Sequence, residues 1–377
     1  MGKIRIGLIG YGNMGRNHAQ YLVCGEVPDA ELTAVCDSNA DNINRAKKDF
    51  ASTGIKYFSD AEELMKSGLA DGIFIVVPHY QHPDLITAGL KNNLHVLTEK
   101  PVGVFTKNVR QVNALAAKSK KVFGIMFNQR TNTVYRKLKQ MISSGQLGEI
   151  KRTNWIAAHW YRAQSYYELG GWRATWAGEG GGVLLNQAPH QLDLWQWICG
   201  MPVRVRAFCS FGKYHNIEVE DDVTAYVEYK NGATGVFITT TGETPGTNRF
   251  EITGDNGKIV LEDEKITFWK TAVPERQFNR EFKGGFGAPE NTKIDVAIEG
   301  KGEEHKGIMK DWIKAILTGS PMLAPGAEGI NSLELSNAML LSAWLDDWVT
   351  LPIDDELFYK KLQEKIKDSK FRKTANL

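Results

Sequence analysis

Apolar positions along the first 125 or so residues come in two rhythms. Short β-rich apolar runs fall at 4–9, 32–36, 57–58, 72–77, 95–98 and 122–126. Between them lie segments with helical spacing, at about 14–23, 43–50, 61–66, 85–91 and 109–117. Strands alternating with helices predict a parallel sheet covered on both faces, because each parallel connection needs a crossover. The second half changes rhythm, with β-rich runs at 203–211, 223–229, 233–240, 249–253 and 258–261. Lys230-Asn231-Gly232 and Asp255-Asn256-Gly257 link four of these runs. Asn-Gly tolerates the positive φ of hairpin turns, so this half predicts an antiparallel sheet. A helix is expected at 187–198 and others at 307–317, 330–348 and 356–367, with exposed loops at 284–290 and 298–303. The expected fold class is α/β. An N-terminal Rossmann domain, a doubly wound parallel sheet, covers residues 1–125. A C-terminal α+β domain with a large, mostly antiparallel open sheet covers residues 126–377.

Composition narrows this picture more than it extends it. A chain of 377 residues suits about two domains. The formal net charge of +2, from 46 basic and 44 acidic residues, gives no electrostatic case for nucleic acid or an anionic membrane. The first apolar run is short and interrupted by Lys3 and Arg5, so it reads as a strand rather than a signal peptide. Ile6 stands where N-myristoylation needs Ser or Thr. No stretch approaches the roughly 20 apolar residues of a membrane span. Cys24, Cys36, Cys199 and Cys209 lie far apart, which predicts neither a zinc site nor a disulfide framework. Buried thiols and a cytoplasmic location are expected.

Gly10-Tyr11-Gly12-Asn13-Met14-Gly15 fits GxGxxG at the first β-α turn, and Asp37 ends the second run 22 residues after Gly15. Gly10 permits the tight turn, Gly12 lets backbone approach a pyrophosphate, and Gly15 lets helix and strand pack closely. The helix N-terminus then offers free N–H groups to phosphate. Asp37 suits a ribose 2′-OH and would repel a 2′-phosphate, so NAD is the expected cofactor. Ser38 follows it with no arginine to hold that phosphate, although Arg16 leaves NADP use open.

These glycines, Val77-Pro78 with His82, Glu99-Lys100-Pro101, and the run Gly180-Gly181-Gly182 to Asn186-Gln187-Ala188-Pro189-His190-Gln191-Leu192-Asp193 resemble the Gfo/Idh/MocA family of oxidoreductases. The likeness extends over nearly the whole chain and is strongest to the branch of glucoside and levoglucosan dehydrogenases. It implies an NAD(P)-dependent sugar or polyol dehydrogenase. On that reading the cofactor is held by Gly10, Tyr11, Gly12, Asn13, Met14, Gly15, Asp37, Ser38, Val77, Pro78, His82, Glu99, Lys100 and Asn128.

Lys100 ends a parallel strand, where open α/β sheets bind ligands, and it can hydrogen-bond a substrate hydroxyl. His190 opens a helix after the triple glycine, and imidazole exchanges protons near neutral pH. The pair is expected to handle the hydroxyl proton. Asn186, four residues before His190, shares its face if both are helical. Inositol dehydrogenase relatives carry aspartate at that position. Asparagine cannot take a proton, so a Lys–Asp–His relay is in doubt, while it can still orient hydroxyls. Asp193 reads as supporting structure. Tyr161, Arg162, Trp172 and Arg173 join Lys100, Asn186 and His190 as candidate substrate residues, because sugars present both C–H faces and hydroxyls; cofactor contact and a subunit interface compete for the same aromatic and arginine segment. His159, His215 and His305 have no partners at ligand spacing and read as structural or solvated. His79 and His82 lack a Cys or carboxylate set beyond Asp84, so no metal is expected. Two other readings suit the same residues: a redox-neutral glycosidase that uses NAD transiently, and a dinucleotide-sensing regulator. The broad second sheet predicts a homodimer or homotetramer built through an exposed apolar face.

Overall fold

The structure is a computed structural model that describes residues 2–371. It divides into two compact units. One runs to Thr131 and takes in Gly302–Leu333; the other comprises Asn132–Lys301 and the chain from Glu334 onward. The boundary expected at 125/126 thus lies at 131/132, and the second unit is not continuous in sequence.

The first unit alternates strictly. Its elements are β1 (Ile4–Ile9), α1 (Asn13–Val23), β2 (Ala30–Cys36), α2 (Ala40–Asp49), β3 (Lys56–Phe58), α3 (Ala61–Lys66), β4 (Gly72–Ile75), α4 (His82–Lys91), β5 (His95–Thr98), α5 (Thr106–Ala116) and β6 (Phe123–Ile125). The six strands are parallel in the order β3-β2-β1-β4-β5-β6. Ile73, Phe74, Ile75, Val96 and Leu97 are buried, as central parallel strands must be when helices cover both faces. Strand order reverses between β1 and β4, the point at which open α/β sheets bind ligands at their carboxyl ends.

The second unit begins with α6 (Thr133–Ser143), β7 (Ile150–Ala157), α7 (Gln164–Glu168) and α8 (Pro189–Cys199). Then come β8 (Arg204–Phe211), β9 (Glu220–Glu228), β10 (Thr234–Thr240), β11 (Asn248–Gly254), β12 (Gly257–Glu262), β13 (Lys265–Thr271), α9 (Glu275–Glu281) and β14 (Asn291–Val296). After α10 (Glu304–Thr318), the chain continues through α11 (Gly329–Leu345), β15 (Val349–Thr350) and α12 (Asp355–Asp368). The nine strands run β14-β13-β12-β11-β7-β10-β9-β8-β15. β7 lies between β11 and β10, antiparallel to the first and parallel to the second. The remaining pairs are antiparallel.

One face of this sheet is an aromatic core. Trp155 stacks on Phe250 at 4.3 Å, and Trp195 of α8 stacks on Phe237 at 5.3 Å. Trp195 Nε1 donates to Thr153 Oγ1 at 3.1 Å, so its one polar group is satisfied. The opposite face is mixed rather than the apolar face expected. Phe208 and Tyr226 are exposed on it, and Val236, Ile238 and Ile156 are half-buried. Arg249 meets Glu251 and Glu262 beside them. Both Asn-Gly turns form, but only Gly232 and Gly257 take positive φ, at 82° and 126°. Asn231 serves instead through its side chain, which donates to Ile150 O at 3.0 Å and accepts from Ala233 N at 3.1 Å.

Helix α10 belongs to the first unit. Trp312 packs against Gly72, where a Cβ would come within 2.9 Å of its ring. Pro325 bridges Gly124 of β6. Among the described residues no helix is long and apolar enough to cross a membrane.

Candidate active site

In the first unit the glycine motif divides by function. Gly10 has φ 97°, and a Cβ there would meet Val76 O at 2.1 Å. A Cβ on Gly15 would meet Gly10 O at 2.0 Å. Both glycines are demanded by the chain's own packing. Gly12 is different: a Cβ on it meets nothing within 4 Å. Its small size leaves room for a ligand, as close approach of a pyrophosphate requires. Helix α1 has no side-chain cap at Gly12, which leaves the first N–H groups, at Asn13 and Met14, for an anion.

Asp37 closes the adjacent edge. Its Oδ2 accepts from Tyr11 N at 2.7 Å and Asn42 Nδ2 at 3.0 Å, and its Oδ1 accepts from Asn39 N at 2.8 Å. A carboxylate has about four lone-pair sites, so one stays available for a ribose hydroxyl. Ser38 is exposed beside it. Tyr11 is buried and its hydroxyl donates to Asp49 at 2.8 Å. Burial first, then Asp49, pushes that phenol well up. Arg16 is held by Asp49 at 3.0 Å.

The turns after β4 and β5 are strapped together by His82. It is fully buried, with Nδ1 2.6 Å from Pro101 O and Nε2 2.8 Å from Val77 O. Burial lowers its pKa against the pull of those carbonyls. Both ring nitrogens thus face main chain, and the side chain ties Val77-Pro78 to Pro101.

Glu99 and Lys100 follow β5. Glu99 is buried and its Oε1 lies 2.7 Å from Nε2 of His18, a fully buried residue of α1. Its Oε2 accepts from Lys100 N at 3.2 Å. The His305 ring lies tilted against His18, with centroids 5.4 Å apart. Burial pushes the Glu99 carboxyl up, but the His18 hydrogen bond and the charges of His18, Lys100 and His305 outweigh it and bring it down to about 2. Asn128 is buried in a tight turn after β6, and its side-chain oxygen has no partner among the described residues. An orphaned buried acceptor costs about 1–3 kcal/mol, which an N–H from a bound carboxamide would recover. A dinucleotide therefore fits: an open Gly12, uncapped N–H groups, a spare carboxylate lone pair and an unfilled acceptor.

In the second unit the triple glycine wraps a buried carboxyl. Glu220 Oε1 accepts from Gly182 N at 2.8 Å and Leu184 N at 3.0 Å. A Cβ on Gly182 would strike Glu220 O at 1.9 Å. Burial lifts the Glu220 carboxyl to about 7, against the hydrogen bonds. Asn186 precedes α8, which starts at Pro189, so Asn186 and His190 are not two positions on one helix face. Asn186 Nδ2 instead donates to Oε1 of buried Glu179. His190 sits half-buried in the first turn of α8. Asp193 is buried and accepts from Gln196 at 3.0 Å.

Arginines and aromatics interleave nearby. The Arg162 guanidinium lies over Trp160 at 5.5 Å and Tyr166 at 5.0 Å. Arg173 lies over Tyr166 at 5.0 Å and Trp172 at 4.5 Å. Gln187 Nε2 donates to the Tyr166 hydroxyl at 3.2 Å. Tyr161 is exposed, and its carbonyl accepts from Arg162 at 2.9 Å. His215 is structural, between Asp221 at 3.0 Å and Arg162 O at 2.8 Å. His159 is largely buried beside Trp160, and burial lowers its pKa. His18, Glu179, Glu220, Tyr166 and Gln187 escape sequence reasoning. Only Tyr166 and Gln187 carried a signal, lying inside the aromatic and glycine-rich segments. Among the described residues no cluster of three His, Cys, Asp or Glu could hold a metal.

Residues 4–127 match the model of the oxidoreductase family with an NAD-binding Rossmann fold, and residues 135–260 match the GFO/IDH/MocA C-terminal domain. The chain is 28% identical to the rhizopine catabolism protein MocA of Rhizobium meliloti over 56% of its own length, and spans 62% of that protein. It is 23% identical to the levoglucosan dehydrogenase of Pseudarthrobacter phenanthrenivorans over 93% of this chain and 99% of that one. The crystal structure of the WlbA dehydrogenase from Chromobacterium violaceum, in complex with NADH and UDP-GlcNAcA, superposes with a TM-score of 0.79. It is 29% identical and covers 93% of this chain and 97% of its own.

Proposed function

The chain belongs to the Gfo/Idh/MocA family of NAD-binding oxidoreductases, and from that premise we propose that it moves a hydride between NAD and a carbinol carbon of a sugar, glucoside, anhydrosugar or polyol. The observation that carries the substrate class is the cluster in the second unit. Two guanidiniums lie over Trp160, Tyr166 and Trp172, and the Gln187 amide donates to the Tyr166 hydroxyl. Flat apolar surface with fixed donors complements a ring that shows C–H on its faces and hydroxyls at its edge.

Lys100 donates to the reacting hydroxyl oxygen and favours its alkoxide character. His190 accepts the hydroxyl proton in oxidation and returns it in reduction. Asn186 orients a hydroxyl and takes no proton. Bound NAD supplies the hydride acceptor. Asp37 favours NAD over NADP, since its charge opposes a 2′-phosphate and Arg16 is already paired with Asp49. The enzyme works in the cytoplasm as a homodimer or homotetramer joined through the outer sheet face around Phe208, Tyr226, Val236 and Ile238.

The test is NADH absorbance from purified protein given NAD and a panel of glucosides, levoglucosan, free hexoses and inositols. Turnover lost in both Lys100→Ala and His190→Ala supports the reading. A silent panel with NAD bound overturns it, and aglycone release from nitrophenyl glycosides would then favour the redox-neutral glycosidase.

A further inference from the structure

Glu179 is 1% exposed. A buried carboxylate is costly unless donors surround it, so its partners reveal what it is for. One oxygen accepts from Asn186 Nδ2. The other accepts from Ala174 N at 2.7 Å. Ala174 has φ 64°, a left-handed conformation that costs a residue with a Cβ on the order of 1 kcal/mol or more unless its surroundings enforce it. The turn around it is tight. Thr175 O accepts from Glu179 N at 2.9 Å, and a Cβ on Gly178 would strike Trp172 O at 2.2 Å. Ala174 directly follows Trp172 and Arg173, and Arg173 lies over Tyr166, whose hydroxyl accepts from Gln187, the neighbour of Asn186. A closed ring of contacts results: Asn186, Glu179, Ala174 with Arg173, Tyr166, Gln187.

We propose that Glu179 is a positioning residue that sets the polarity of the Asn186 amide and locks it to the Trp172–Arg173 segment. A carboxylate accepts only, so it must take the NH2 end of Asn186 and turn Oδ1 away from itself. Asn186 is thereby fixed as a hydrogen-bond acceptor, and it selects a substrate hydroxyl that donates. The arrangement also accounts for asparagine at this position. An aspartate there would set two carboxylates at hydrogen-bonding distance, and one would have to hold a proton. This inference rests on the substrate-binding reading of Asn186 and Arg173.

The experiment compares Glu179→Gln, Asn186→Asp and the double exchange Glu179→Gln/Asn186→Asp, in the full chain with NAD and levoglucosan. Each single change should raise KM about tenfold or more, the loss typical of a charge-assisted hydrogen bond, and leave NAD affinity unchanged. The KM of Asn186→Asp should fall as pH is lowered. The double exchange reverses donor and acceptor across the same pair and should recover much of the loss. A double variant no better than the worse single overturns the proposal. A second readout needs no turnover: the Asn186 side-chain amide followed by NMR in asparagine-labelled protein. Its NH2 signals should move to solvent-exposed positions in Glu179→Ala. Unchanged signals would overturn the positioning role, whereas a silent levoglucosan assay with shifted signals would count only against the proposed substrate.

Discussion

Replacing His18 with leucine removes the partner of a buried carboxylate 81 residues away in sequence. Two lines of reasoning size the cost. Breaking a buried pair by deleting one member typically costs about 3–5 kcal/mol, since the survivor is left uncompensated. The lowering of Glu99 from the ordinary 4.5 to about 2, to which Lys100 and His305 contribute beside His18, corresponds to roughly 3.5 kcal/mol in all at about 1.4 kcal/mol per pH unit, most of it through the His18 contact. Because the folded value lies below the unfolded one, this stabilisation is present above about 4.5 and is lost as pH falls towards 2. Urea denaturation should therefore find His18→Leu about 3 kcal/mol less stable at neutral pH, with a flatter dependence on pH between 4.5 and 2. His18→Gln keeps a donor and should recover most of the difference. Since Glu99 also accepts from Lys100 N, His18→Leu should slow turnover as well. A His18→Leu protein within about 1 kcal/mol of the parent, with the same pH profile, would refute the reasoning.

The glycine motif and the triple-glycine loop yield three further outcomes. Gly12→Ala should melt like the parent, since its Cβ meets no protein atom, yet bind NAD at least about tenfold more weakly by calorimetry, equivalent to ~1.4 kcal/mol. Gly15→Ala, which drives a Cβ into Gly10 O, should fail to fold or melt far lower. Glu220, raised to about 7, stabilises the fold below about 4.5 and loses that contribution as pH rises through 7. Thermal melts of Glu220→Gln between pH 5 and 8 should show less of the decline that the parent shows.

The first unit was largely legible because its strands are punctuated. Gly10 ends β1, Asp37 follows β2, Val77-Pro78 follows β4, and Pro101 comes three residues after β5. The return of α10 to this unit was not legible. An amphipathic helix announces that it packs on something, and only the fit of Trp312 on Gly72 says on what. β7 leaves no clear apolar alternation because its inward positions include Thr153, which is buried by bonding Trp195 rather than by being apolar. β14 leaves none because it is an exposed edge strand with no buried face. In the site, Gly10, Gly12, Gly15 and Asp37 were readable from spacing, since local backbone geometry dictates them. His18 and Glu179 were not, because a buried polar residue is defined by its partner. His18 meets Glu99 only through the sheet, and Glu179 meets Asn186 only through the turn at Ala174.

Hydride transfer from a carbinol carbon of a sugar to bound NAD is tested most directly by incubating the enzyme with NAD and levoglucosan deuterated at its carbinol carbons, then determining deuterium in the recovered NADH by mass spectrometry. Such transfer gives one deuterium per NADH formed, and no labelled NADH with Lys100→Ala. NADH formed without deuterium, or deuterium retained by the sugar while NAD is recovered unchanged, would contradict it.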